Sequence, residues 1–128
     1  MILDTSAVVA ILLAEDDHAS LLARLNEAEV CGVGAPTLVE CHAVLLARLG
    51  FDPTGLLSRF LAEFAVVTIP FTDDHQREAS SAYRRFGRGR HPAALNFGDC
   101  LSYATARVAR RPLLCKGEDF TRTDLPLA

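Results

Sequence analysis

Four short apolar runs, Met1–Leu3, Val30–Val33, Val66–Ile69 and Leu113–Cys115, alternate with longer stretches of helical periodicity, and this alternation constrains the fold more than any other feature. Each run is apolar on both sides and bounded by turn residues, which is how strands of a covered parallel sheet read. Parallel neighbours need crossovers, and right-handed crossovers put helices on both faces. The expected fold is therefore α/β: one domain over residues 1–128, with a central parallel β-sheet flanked by helices on both faces. A chain of 128 residues buries about two-thirds of its surface on folding.

The intervening segments carry helix signals. Ala7–Ala14 and Ala19–Asn26 read as helices, and Pro36–Leu49 opens with proline in its first turn and stops at Gly50. Asp52-Pro53 caps a helix through Glu63. Thr72-Asp73-Asp74 opens one that reaches Phe86 and ends at Gly87. Gly87–Ala94, with Arg88, Arg90, His91 and Pro92, reads as an exposed basic loop before a last helix over Gly98–Arg110.

The longest apolar run, Ala7–Ala14, is eight residues, against roughly twenty for a membrane span. No secretory signal precedes Met1-Ile2-Leu3-Asp4, so a cytoplasmic location is expected. Cys31, Cys41, Cys100 and Cys115 lie 10, 59 and 15 residues apart, which is neither a zinc nor a disulfide spacing, and read as small buried hydrophobes.

The net charge of −3 argues against a polyanion ligand, but the average hides an asymmetry. Residues 1–83 carry −8, residues 84–116 carry +7 with Asp99 as their single acid, and the tail carries −2. One stretch can hold a polyanion while the whole stays acidic.

In sheets of this kind ligands bind beyond the carboxyl ends of the strands, where strand order reverses. Asp4 follows the first strand and stands at a helix start; Asp99 lies in the first turn of its helix; Asp119 follows the last strand. Each alone has an ordinary explanation as a cap or a turn acid. Glu40 is different, because Thr37, Ala43, Val44 and Ala47 give it a small, mostly apolar helical face, where a carboxylate needs a cation or an ion pair, with Arg48 for instance. Together the four acids are expected at one edge. Gathered carboxylates repel unless a cation sits among them, and oxygen ligands without histidine or thiolate suit Mg²⁺, with Mn²⁺ as substitute. Such a site can activate water against a phosphodiester, with Arg88, Arg90 and Lys116 holding the backbone.

Met1-Ile2-Leu3-Asp4-Thr5-Ser6-Ala7, Glu40 in its helix, Leu95-Asn96-Phe97-Gly98-Asp99-Cys100 and Leu114-Cys115-Lys116-Gly117-Glu118-Asp119-Phe120 together carry a resemblance that spans the chain. In these segments it resembles the PIN-domain toxins of VapBC toxin–antitoxin modules. The resemblance implies a small α/β domain, usually a homodimer, acting as a Mg²⁺-dependent endoribonuclease and restrained by a co-encoded VapB-like antitoxin. It matches Asp4 and Asp99 to the principal metal ligands, with Glu40 and Asp119 completing the pocket and Glu118 as a rival to Asp119. It implies structured RNA, transfer RNA or ribosomal RNA as substrate.

Ser6 and Asn96 read first as helix caps that support the site. Arg84, Arg85, Arg107, Arg110 and Arg111 read as a solvated helix face, the last three at a helix C-terminus. The four histidines have no metal spacing, and Phe51, Phe60, Phe64 and Phe71 read as core or interface. Two other functions stay open: a Mg²⁺-dependent phosphatase or phosphoacceptor domain, and a metal-free module that binds RNA or protein.

Overall fold

The computed structural model describes all residues, 1–128, and its elements alternate as β1 (Ile2–Leu3), α1 (Thr5–Leu12), α2 (His18–Glu27), β2 (Cys31–Gly34), α3 (Ala35–Leu49), α4 (Thr54–Glu63), β3 (Val66–Ile69), α5 (Asp73–Phe86), α6 (Phe97–Ala109) and β4 (Leu113–Leu114). The strands form one parallel sheet in the order β3-β2-β1-β4. The chain steps outward from β1 to β3 and then returns to the other side of β1. Right-handed crossovers accordingly place α1–α4 on one face and α5–α6 on the other.

Side-chain alternation agrees. Leu3, Cys31, Val33, Val66 and Leu114 enter one apolar cluster with α1–α4, while Ile2 and Leu113 enter a second with Ala82, Phe86, Cys100 and Tyr103 of α5 and α6. A one-residue offset along a strand reverses the face, so adjacent leucines in β4 serve both cores. Each fully buried leucine contributes about 1.5–3 kcal/mol. α6 reaches the sheet closely at Gly34, where an added Cβ would lie 2.7 Å from Thr105 Oγ1.

Two expectations need correction. β3 is not covered on both sides: it is the sheet edge, and Val67 and Thr68 are exposed. The first helix stops at Leu12 rather than Ala14, because Ala14 takes the left-handed conformation at φ 50°. Its N–H bonds Ile11 O at 3.3 Å and the Glu15 N–H bonds Ala10 O at 2.9 Å, the double closure that usually employs glycine. Gly50 ends α3 in that conformation, as its position in the sequence implies.

Cys31, Cys41 and Cys100 are buried, Cys115 is half-buried, and all four are free thiols. Phe60 is core and Phe64 and Phe71 are half-buried, whereas Phe51 is exposed. No helix is long and apolar enough to cross a membrane.

Candidate active site

Strand order reverses between β1 and β4, and the two strand ends open side by side. Asp4 N–H continues their ladder to Leu114 O at 2.9 Å. Asp4 itself is 4 % exposed and caps α1: its Oδ2 accepts from the Ser6 N–H at 3.0 Å and the Ser6 hydroxyl at 2.6 Å. Capping uses one carboxylate oxygen and leaves Oδ1 without a protein donor. Ser6 Oγ also accepts the Lys116 N–H at 2.9 Å. Ser6 is therefore more than a cap, since its hydroxyl ties the end of β4 to the carboxylate at the end of β1.

Glu40 projects from α3 toward the start of α6. Its Oε1 accepts a hydrogen bond from Thr5 Oγ1, and its carboxyl lies against Gly98, where an added Cβ would sit 2.8 Å from Cδ. Any side chain at position 98 would displace that carboxyl. No cation pairs with Glu40, and Arg48 is exposed and free of ion pairs. The expected apolar face is only partly sheltered, because Ala43 and Ala47 are exposed.

Asp99 sits in the first turn of α6. Its Oδ2 accepts the Asn96 N–H at 3.0 Å, and Asn96 Oδ1 accepts the Asp99 N–H at 2.9 Å, a reciprocal cap that fixes both side chains. Burial pushes the Asp99 carboxyl up to about 6; the Asn96 N–H opposes this, and the negative charges of Asp4, Asp119 and Glu40 reinforce it. Asp119 is exposed and makes no hydrogen bond, but its charge helps raise both Asp99 and Cys115. Burial, followed by the charge of Asp4, holds the Cys115 thiol near 12 and so neutral.

These groups line a cleft of about 460 Å³ that brings Asp4, Ser6, Glu40, Asn96, Asp99 and Lys116 together. Asp119 lies outside its wall, as do Arg88 and Arg90, which are exposed on the loop leading to α6. Glu15 is in the cleft and pairs with Lys116, Oε2 to Nζ at 3.3 Å. Sequence reasoning missed Glu15, and in Glu15-Asp16-Asp17 nothing sets it apart from solvated turn acids. It missed Thr5 for the same reason, as a hydroxyl at a helix start reads as a cap. None of the four histidines lines the cleft. Arg107, Arg110 and Arg111 lie at the opposite edge, around a separate cavity of about 690 Å³.

The cleft offers hard oxygen donors at the positive end of α6, with one ammonium opposite. No three histidine, cysteine, aspartate or glutamate side chains converge closely enough to cage a metal ion. Mg²⁺ does not require such a cage; it keeps several waters and is usually bound by one or two carboxylates together with substrate phosphates. The donor set fits an ion of that kind and offers nothing to a softer one.

A family model for the PIN domain matches residues 1–125. The ribonuclease VapC36 of Mycobacterium tuberculosis is 46% identical over 98% of this chain and 91% of its own length. Ribonuclease VapC28 of the same organism is 45% identical over 100% and 97%. Among solved structures, M. tuberculosis VapC20, described as a sarcin-ricin loop cleaving toxin, superposes with a TM-score of 0.80 at 19% identity, covering 99% of this chain and 97% of that one.

Proposed function

Since the chain belongs to the PIN-domain family and, within it, to the VapC-type toxins of VapBC toxin–antitoxin modules, we propose that it is a Mg²⁺-dependent endoribonuclease whose working acids are Asp4, Glu40, Asp99 and Asp119. The observation that carries this reading is Asp99: a carboxyl lifted to about 6 by burial and by three other acids, at the point where strand order reverses. That arrangement disfavours the free protein and suits a cation.

Asp4 and Asp99 would hold the ion, with Mn²⁺ able to replace Mg²⁺. When bound, the ion makes a water nucleophilic at neutral pH and stabilises the leaving oxygen of a phosphodiester. The protein groups prepare that chemistry. Ser6 fixes the Asp4 carboxylate through Oδ2 and leaves Oδ1 for the cleft. Asn96 fixes Asp99 in the same way. Thr5 holds Glu40 by one oxygen, so its carboxylate stands ready to take a proton from an attacking water. Lys116 and the N-terminus of α6 supply positive potential for a phosphate. Arg88 and Arg90, ahead of α6, hold the RNA backbone further out.

The substrate is structured RNA of the transfer or ribosomal class. The protein acts in the cytoplasm as a homodimer, restrained by a co-encoded VapB-like antitoxin.

The test is a time course on total RNA with Mg²⁺ and with EDTA, beside Asp4→Asn and Asp99→Asn, mapping new 5′ ends. Discrete Mg²⁺-dependent cuts absent from both variants are expected. Cutting that persists in excess EDTA, or in both variants, refutes the assignment. RNA binding without cutting, indifferent to EDTA, supports a metal-free binding module instead.

A further inference from the structure

Phe97 is 76 % exposed, more than any other large apolar side chain, although it opens α6 only two residues before Asp99. It faces a cavity of about 310 Å³ between α5 and α6, which it shares with Tyr83, itself 45 % exposed, and with Ala79, Ser80, Cys100 and Leu101. Neither ring stacks on another aromatic, and the Tyr83 hydroxyl has no hydrogen-bond partner in the protein. Not all the charge on α5, α6 and the loop between them is committed. Arg77, Arg85 and Arg107 are taken up by Asp74, Asp124 and Glu78, whereas Arg84, beside Tyr83 on α5, and Arg88, on the following loop, are exposed and have no acidic partner.

We propose that Tyr83 and Phe97 form a nucleobase pocket beside the acidic cleft, taking one unpaired base of an RNA strand whose phosphates lie along Arg84 and Arg88. The proposal rests on the nuclease reading and deepens it. Contacts from lysine and arginine to phosphates position a strand but carry no sequence information, while unpaired RNA bases are read by stacking on aromatic rings. The cavity has room for a base, two of its six lining residues are the aromatic Tyr83 and Phe97, and the exposed Arg84 and Arg88 follow Tyr83 by one and five residues in the chain. A second copy of the chain would fit this patch poorly, because twofold contact would bring two sets of free arginines together. Every base has a π-face, so the pocket selects for an unpaired base rather than for one base type. The substrate feature it recognises is a loop or bulge next to the cleavage point.

The experiment measures binding in EDTA, where nothing is cut, with a hairpin RNA carrying 2-aminopurine in its loop and the same sequence as a full duplex. The full chain should bind the hairpin more tightly and quench the probe by stacking. Phe97→Ala and Tyr83→Ala should each weaken hairpin binding roughly tenfold and abolish quenching. Phe97→Leu, apolar but without a π-face, should behave like the alanine variant, and Phe97→Trp should restore binding. Circular dichroism must report the native fold for each variant. Unchanged affinity with no quenching in the unmodified protein overturns the proposal. So does a shift from dimer to monomer on Phe97→Ala in sedimentation, which would assign the ring to a second copy. Quenching that survives while the unmodified protein cuts no RNA with Mg²⁺ would leave the pocket standing and remove the nuclease reading.

Discussion

Asp99→Asn should make the metal-free protein more stable, by an amount that depends on pH. The carboxyl rises from 3.8 to about 6 in the folded chain, with burial the leading cause. Two pKa units correspond to about 3 kcal/mol, and solvent screening at a half-buried position reduces this to about 1–2 kcal/mol. The sign follows from proton uptake: between about pH 4 and pH 6 the folded state binds more protons than the unfolded state, so stability falls as pH rises through that window. The penalty is absent below the unfolded pKa and complete above the folded one. Asparagine removes the charge and keeps an oxygen for the Asn96 N–H; only the attraction to the helix N-terminus, about 0.5 kcal/mol, is lost. For a chain of this size 1 kcal/mol moves Tm by about 4 °C. The net gain is about 0.5–1.5 kcal/mol, so in EDTA at pH 7.5 the variant should melt about 2–6 °C above the unmodified protein, and at pH 4.5 the two should nearly coincide. Mg²⁺ should then raise the Tm of the unmodified protein and leave the variant where it was, since binding to the native state alone stabilises by mass action. A variant that melts lower at pH 7.5, or a gain equally large at pH 4.5, would refute the reasoning.

Gly98→Ala should leave Tm within about 3 °C, because alanine suits a first helical turn, yet cut kcat on RNA roughly 100-fold by displacing the Glu40 carboxyl; normal kcat would show that Glu40 need not sit there. Ser6→Ala should cost about 1–3 kcal/mol in urea unfolding, since it strands the Lys116 N–H and removes one donor from Asp4, and an unmoved midpoint would count against the bracing role. Lys116→Met should flatten the salt dependence of RNA binding by about one counterion, read from affinities over a salt series; an unchanged slope would place Lys116 off the phosphates. Ala14→Gly should stabilise by about 0.5–1 kcal/mol in the same urea assay, because glycine relieves the left-handed position at φ 50°.

The parallel sheet was legible because its four strands are short, apolar and separated by recognisable caps. Pro36 and Gly50 bounded one helix, and Asn96 announced another. What escaped was local chemistry with no distinctive residue behind it. Alanine is rare in a left-handed helix stop, so nothing in the sequence marks the end of α1 before Ala14 or the turn that swings Glu15 into the cleft. β3 looked like a buried strand because Val66, Val67 and Ile69 are apolar, but sequence does not report which strand lies at the edge. Asp4, Glu40 and Asp99 fall at corresponding ends of separate elements, which is why spacing alone gathers them, and they line one cleft; Asp119 lies outside its wall. Which of Glu118 and Asp119 bears on the cleft depends on the turn around Gly117, at φ 88°, which residue spacing does not encode.

The pattern of satisfaction across the molecule gives the acidic edge its meaning. Away from the cleft the buried polar groups are answered within the fold: Tyr103 shares Asp124 with Arg85, and the single buried side-chain polar atom without a partner is His75 Nε2. The acidic edge differs. Asp99 is held where its own charge is disfavoured, Glu40 has a hydroxyl but no cation, Asp119 has no partner, and Phe97 stands in water two residues away. Departures of this kind cost stability and persist where something other than the folded chain itself completes them. On the proposed reading a cation would answer the first three and an unpaired base beside a phosphate backbone the fourth. The two sites would meet at the first turn of α6, where Phe97 and Asp99 stand two residues apart, and a single RNA strand is the ligand whose chemistry would meet both.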